Sequence, residues 1–370
     1  MSFFHLLEHL DWDGCAAAIR SCTAGDVEAA LAAPVLSETG LMALLSPAAG
    51  PSMEAMAQRA HSLTRQRFGR VVGLFAPLYL SNECTNSCVY CGFKVTNRVC
   101  RMTLTIDQAE AEARFLHSQG FRHLLLVSGE SPGVVTLDYL QGVVQRLRPL
   151  FASIAIEIYP METGEYRTLA ASGVDGLVVY QETYNRERYS EVHPAGRKRD
   201  FKWRLETPER GGEAGFRRLG IGALLGLSDW RTEAFVLARH ARYLLKHFWR
   251  SHLTVSFPRL QPAAGGYQPE HPVGDAALVQ IMTALRLFLP DAGLILSTRE
   301  NPVLREHLLP LGVTAMSAGS RTDPGGYAQK EHGEEQFRIA DERPAKEIAD
   351  LLRRTGYEPV WKDWDRMFIQ

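Results

Sequence analysis

From about residue 73 onward the chain alternates between short apolar runs and stretches of helical period, and that alternation leaves few folds open. The runs are VGLFAPLYL, RHLLLVSG, SIAIEIY, GLVVYQE, IGALLGL, LTVSF, LILSTR and VTAMSA. Each has the length and composition of a buried strand. Amphipathic stretches lie between most of them, at 136–149, 163–172, 232–249, 274–289 and 302–310. A further one opens with a capping box, Thr105 and Gln108, presents Ile106, Ala109, Ala113 and Leu116 on one face, and stops at Gly120. Strand alternating with helix implies a parallel sheet clothed in helices. About eight such units imply closure into an α/β (β/α)8 TIM-type barrel, with chemistry at the C-terminal strand ends. An open doubly wound sheet is the alternative. Residues 1–70 read as a helical N-terminal extension, through DVEAALAAPVL and MEAMAQRAHSLTRQRF. The expected division is therefore 1–70 helical extension, 71–320 barrel and 321–370 short C-terminal extension.

One segment breaks the rhythm. Thr183 to Phe216 is polar, charged and long for a loop, and it follows a strand end. Its basic cluster, Arg197 to Arg199, reads as a solvated face rather than a nucleic-acid patch. Bulk charge agrees, because 41 Lys and Arg nearly balance 42 Asp and Glu. No global field would draw the chain to nucleic acid or to a lipid surface. No apolar run is long enough to span a bilayer, and the N-terminal MSFFHLLEHLDWDGC does not read as a signal peptide. A cytoplasmic protein with reduced thiols is the expectation.

Three of the six cysteines, Cys84, Cys88 and Cys91, crowd into PLYLSNECTNSCVYCGF, just after the first barrel strand. Their spacing is C-x3-C-x2-C. Structural zinc needs four ligands, and so does an iron–sulfur cluster held wholly by protein. No fourth Cys or His lies within a few residues, and Cys100 has no evident spacing role. Three thiolates on a four-iron cluster would leave one iron open to a small ligand.

That spacing, with Tyr90 in the aromatic position before the last cysteine, resembles the radical S-adenosylmethionine (SAM) superfamily. The resemblance implies a [4Fe-4S] cluster on Cys84, Cys88 and Cys91, and SAM chelated by the open iron. Ser128, Gly129 and Glu130, in LLLVSGE, resemble the motif that presents polar groups to the SAM amino group. LGIGALLGLSD, with Gly222, resembles a glycine-containing strand beside the adenine. A packing need for small residues explains that strand equally well.

Further motifs narrow the likeness. YQETY, WRLETPER, TVSFPRLQP, LSTRE, SAGSRTDPGGY and PVWKDWD resemble the 2-iminoacetate synthase family, the tyrosine lyases of bacterial thiamine thiazole biosynthesis. The likeness runs from Leu10 to Asp365. It implies scission of L-tyrosine at Cα–Cβ, giving 2-iminoacetate (dehydroglycine) and p-cresol, with 5′-deoxyadenosine and methionine. Arg299 is then the candidate anchor for the tyrosine carboxylate, with Ser317 adding a hydroxyl donor. Tyr79, by likeness to related aromatic amino acid lyases, faces the substrate amine. Glu157 and Glu182 end consecutive strands and are assigned to the SAM ribose or its surroundings. Arg204 and Glu206 are candidates to close the site. A surface salt bridge of Arg299 with Glu300 or Glu306 is the plain alternative reading.

Two relatives of the same chemistry compete. The tyrosine lyases of hydrogenase maturation carry cysteines for a second cluster in an added C-terminal region, whereas this chain has no cysteine after Cys100. A tryptophan lyase is separated only by the whole-chain likeness. A non-catalytic iron–sulfur or zinc scaffold leaves the missing fourth ligand unexplained. The expected partners are tyrosine, a thiazole synthase receiving a labile product, and an electron donor such as flavodoxin or ferredoxin. The docking candidates are the N-terminal helices and the WKDWD segment.

Overall fold

The computed structural model describes residues 2–362. Eight strands form the barrel: β1 (Val71–Ser81), β2 (His123–Ser128), β3 (Ser153–Glu157), β4 (Gly176–Glu182), β5 (Arg218–Ala223), β6 (His252–Ser256), β7 (Gly293–Leu296) and β8 (Ala315–Ser317). Each pairs in parallel with the next, and β1 closes the ring by pairing with both β2 and β8. Side chains alternate along β1. Val72, Leu74, Ala76 and Leu78 are fully buried, while Phe75, Pro77 and Tyr79 line the lumen. This period of two is what a strand between a helical shell and a hollow requires.

The helices fall where the sequence periodicity places them. They span Ile106–Ser118, Leu137–Leu147, Thr163–Ser172, Trp230–His247, Asp275–Phe288 and Pro302–Leu308. The capping box at Thr105 is formed, with the Gln108 side chain returning to the Thr105 N–H at 2.9 Å. The first 68 residues make five α-helices and a short 3-10 turn, ending with Met53–Phe68. They pack on the outer helices: Gln280 Nε2, buried on Asp275–Phe288, donates to the carbonyls of Leu44 and Ser46 at 2.8 Å each.

The segment expected as a loop, Thr183 to Phe216, is instead folded. It holds helices Arg186–Val192, Phe201–Leu205 and Thr207–Glu213, with a 3-10 turn at Arg197–Arg199. The reason is visible in its caps. Asn185 accepts from Arg188 N and Asp200 from Trp203 N, both at 2.9 Å, and each cap starts a helix inside a charged stretch.

The C-terminal part does more than extend the chain. Residues 318–344 cross the barrel mouth without regular structure. They are pinned by Asp341, which pairs with Arg305; both side chains are wholly buried. Arg305 also donates to Ser317 O at 2.6 Å. Helix Ala345–Arg354 follows, and then a ninth strand, β9 (Glu358–Val360), lies parallel against Val71–Gly73 at the start of β1. The last residues of the PVWKDWD motif, Asp363 to Asp365, lie outside the described residues. Among the described residues no helix is long and apolar enough to cross a membrane.

Replacing Asp341 by Ala strands the Arg305 guanidinium without its counter-charge. Breaking a buried pair from one side costs about 3–5 kcal/mol. Denaturant unfolding of Asp341→Ala is expected to show a loss of that size, with the drop in midpoint not matched by Glu306→Ala, whose pairing with Arg343 is exposed.

Candidate active site

After β1 the chain runs from Asn82 to Cys100 with no helix or strand, so its backbone groups must find partners elsewhere. They find them on several separate segments. Thr85 N donates to Glu130 O (2.9 Å), Ser87 N to Ala195 O (3.1 Å), Val89 N to Val192 O (3.1 Å) and Gly92 N to Gln336 O (3.0 Å). Asn86, buried, donates to the Glu130 carboxylate at 2.8 Å and accepts from Lys198 N at 3.0 Å. Two glycines make the grip close. A Cβ on Gly129 would stand 2.3 Å from Glu83 O and 3.2 Å from Cys84 Cβ. A Cβ on Gly92 would stand 2.5 Å from Gln336 O.

The loop carries Cys84, Cys88 and Cys91, all free thiols. Tyr90 is locked beside them. Its hydroxyl lies 2.7 Å from His193 Nε2, and His193 Nδ1 lies 2.9 Å from Tyr189 O. A carbonyl can only accept, so Nδ1 carries the hydrogen and Nε2 accepts from Tyr90. Burial, with Lys198 and Arg204 nearby, holds the His193 ring well below its ordinary pKa and therefore neutral. Burial pushes the Cys88 thiol up to about 12, with Lys198 pulling the other way, and burial also raises Cys91.

Above the lumen the strand ends surround one cavity. It is lined by Cys91, Tyr79, Tyr90, Glu157, Glu182, Arg299 and Ser317 among the residues singled out from sequence. Tyr79 donates its hydroxyl to Gln336 Oε1 at 2.8 Å, and burial keeps the phenol well above the ordinary tyrosine range. Arg299 stacks its guanidinium over the Phe337 ring, 3.4 Å from the centroid. The alternative of a surface ion pair does not form: Glu300 is taken by Arg259 and Glu306 by Arg343. Ser317 Oγ accepts from Thr298 N at 3.2 Å. Nearby, the buried Ser320 hydroxyl lines the same cavity with no hydrogen-bond partner among the described residues.

The acidic groups differ sharply. Glu182 is the one non-glycine with positive φ (71°) among the described residues. It sits at a bulge in β4, where the register shifts between Tyr180 and Glu182. Such a conformation costs roughly 1–3 kcal/mol and persists only when its surroundings enforce it. Here Lys198 Nζ grips the carboxylate at 2.6 Å and Arg204 approaches at 3.6 Å. Burial opposes ionisation, yet these two cations hold Glu182 below the usual carboxylate range. Glu157 has no such pair among the described residues. Burial and repulsion from Glu182 push it up to about 7, against the pull of Arg299.

Several expected positions lie outside this cavity. Glu130 braces the cysteine loop through Asn86 and lines a separate surface cleft. Gly129 admits that loop by its lack of a side chain. Ser128 Oγ is buried with no partner among the described residues. At Gly222 the space of a Cβ is taken by the Tyr180 ring, 2.7 Å away, and by Ser256 O at 2.8 Å, so packing accounts for this glycine. Arg204 reaches the site through Glu182 and donates to Tyr180 O at 2.7 Å. It does not pair with Glu206, which instead accepts from Ser2. The basic cluster at 197–199 is not wholly solvated, since Lys198 turns inward to Glu182. Sequence reasoning did not single out Lys198, Ser320, Gln336 or Phe337. An acidic strand end in need of a counter-cation was the one available hint of Lys198.

The donor set suits an iron–sulfur cluster. Among the described residues no three His, Cys, Asp or Glu converge as ligands of a single ion. A four-iron cluster takes each thiolate on a different iron, so its ligands stand further apart. Gly129, lacking a side chain, lets the end of β2 stand directly against Glu83 and Cys84 of the cysteine loop. Cys84, Cys88 and Cys91 would therefore hold such a cluster, with SAM beside it.

Gly129→Ala must displace the cysteine loop; after anaerobic reconstitution it is expected to retain less iron per chain than the parent protein, by elemental analysis. Glu157 binds its proton more tightly folded than unfolded. Its burial therefore costs stability as pH rises from about 4.5 to 7. In the cluster-free protein, Glu157→Gln is expected to remove that decline, so that its melting temperature gains on the parent's across this window.

Comparison with known proteins agrees with the geometry. The Radical SAM superfamily model matches residues 78–237, and the Biotin and Thiamin Synthesis associated domain matches residues 256–358. The 2-iminoacetate synthases of Salmonella typhimurium and Escherichia coli are each 47% identical over 357 residues, covering 96% of this chain and 95% of theirs. Among solved structures, the FeFe-hydrogenase maturase HydG from Carboxydothermus hydrogenoformans superposes with a TM-score of 0.83 at 34% identity, over 97% of this chain and 83% of that one. A second HydG structure gives 0.89 at 30% identity, over 95% and 79%. With near-complete mutual coverage, cluster loop and barrel mouth included, this chain belongs to the 2-iminoacetate synthase family of radical SAM enzymes.

Proposed function

We propose that this protein is a carbon–carbon lyase that splits L-tyrosine at Cα–Cβ into 2-iminoacetate and p-cresol, for the thiazole moiety of thiamine. The observation that carries the reading is the Arg299 guanidinium, without an ion-pair partner among the described residues, facing the same cavity as Cys91. When bound there, the cluster and SAM supply a 5′-deoxyadenosyl radical. What the chain itself must do is hold the substrate against that radical and keep water out.

Arg299 binds the carboxylate of tyrosine, with Ser317 and the unpartnered Ser320 hydroxyl as further donors. The stack on Phe337 fixes the plane of the guanidinium. Tyr79, a neutral phenol oriented by Gln336, meets the substrate amine. Glu182, spent on Lys198 and Arg204, serves as a fixed charge near the ribose. Glu157, titrating near neutrality, exchanges a proton where an amine or hydroxyl approaches. Phe75, Leu125, Val127, Phe257 and Leu260 supply the apolar wall.

Fold likeness to HydG favours a second reading within the same chemistry, in which the glycine fragment is broken further to carbon monoxide and cyanide. The higher identity to 2-iminoacetate synthases over nearly their whole length supports the first. A cytoplasmic setting fits six free cysteines. Handover of 2-iminoacetate to a thiazole synthase follows from its lability in water, and a flavodoxin or ferredoxin is the inferred electron source.

The test is anaerobic reconstitution with iron and sulfide, then SAM, reductant and tyrosine, with products identified by mass. p-Cresol and 5′-deoxyadenosine are expected, without carbon monoxide; absence of p-cresol from a cluster-loaded, SAM-cleaving protein would refute the reading. Cys88→Ala is expected to abolish SAM cleavage. Arg299→Ala is expected to raise KM for tyrosine about 10- to 100-fold, the loss of a charged hydrogen-bonded pair, while cluster content stays unchanged.

A further inference from the structure

Gln336 occupies an unusual position for a residue in an irregular C-terminal segment. Its backbone is held on both sides: N–H to Thr322 O at 2.9 Å, and C=O from Gly92 N at 3.0 Å. Gly92 has no room for a side chain because that carbonyl is there. The side chain then spans two groups of different kinds. Its Nε2 lies 3.8 Å from Cys91 Sγ, and its Oε1 accepts from Tyr79 Oη at 2.8 Å. The orientation of the amide is forced. A cluster-bound thiolate can only accept, so the N–H side must face Cys91 and the oxygen must face the phenol.

We propose that Gln336 is a positioning residue that joins the cluster to the substrate pocket, donating to the Cys91 sulfur while orienting Tyr79. The inference rests on the cluster assignment in the function proposed above and goes beyond it. A hydrogen bond to a ligating sulfur stabilises the reduced, more negative cluster and so raises its potential. The same amide fixes the Tyr79 hydroxyl, while the ring packs edge-on to Phe93, 5.9 Å between centroids, and in one apolar cluster with Val127. One side chain from 245 residues downstream of Cys91 therefore acts on both redox poise and substrate geometry.

The test uses the reconstituted full chain and two variants. Gln336→Leu removes both bonds; Gln336→Glu keeps an acceptor for Tyr79 but, ionised, offers no donor to sulfur. The readout is the cluster's midpoint potential, followed by EPR-monitored redox titration, beside iron and sulfide content. Both variants are expected to load a full cluster with a midpoint more negative than the parent's. Gln336→Leu alone is expected to raise KM for tyrosine several-fold, since only it frees Tyr79. An unshifted midpoint in either loaded variant overturns the proposal. So does failure of both to load, which would make Gln336 a structural clamp only. The potential is measured without substrate, so absence of p-cresol would count against the proposed function and not against this inference.

Discussion

The cysteine loop has no secondary structure of its own, and everything chemical in this protein depends on how it is gripped. A loop of that length in water would sample many shapes, and its three thiols would rarely come together. Here its N–H groups end on four other parts of the chain: the end of β2, helix Arg186–Val192, the turn before residue 197, and residue 336. Gly129 and Gly92 remove the two side chains that would hold the clamps apart. The barrel is the frame that brings those four parts to one rim.

Charge is distributed in the same economical way. A strained Glu182 turns its carboxylate to Lys198 and Arg204, sharing one negative charge between two cations from the insertion. Arg259 and Arg343 take up Glu300 and Glu306. What is left facing the cavity is one guanidinium, one near-neutral carboxyl and a few hydroxyls. The proposed reading fits a zwitterionic amino acid to that residue of charge, with its carboxylate at Arg299 and its amine at Tyr79 and Glu157. Because the surrounding walls are apolar, these few polar groups act at short range and with little screening by water.

Much of this was legible in the sequence, and for physical reasons. A parallel barrel buries each strand on both faces, so strands appear as apolar runs, and their last residues must project to a common mouth. Tyr79, Glu157, Glu182, Arg299 and Ser317, singled out by their place at strand ends together with the family resemblance, do line one cavity. The cysteine spacing is local and needs no tertiary information. The rest was hidden because it depends on long-range folding. Gln336 and Phe337 sit in a stretch without periodicity. Lys198 looked like one of three exposed bases. Gly222 carried two readings, a flat ring beside it or a need for a small residue in packing, and the Tyr180 ring against it makes the second visible. The insertion at 183–216 was misread because its charge was weighed above the caps at Asn185 and Asp200.

The ring closes at β1, whose two flanks are covered by strands made far apart in the chain. Its early residues wait for β8 and then β9, more than 240 residues downstream. Pairings separated by this much sequence form slowly, and until they form an apolar edge stays open. The clamp on Gly92 arrives from the same late region. The cradle for the cysteines is therefore finished only once residues 315–360 have folded back onto β1 and its loop. A nascent chain would expose its thiols to oxygen for as long as that closure takes.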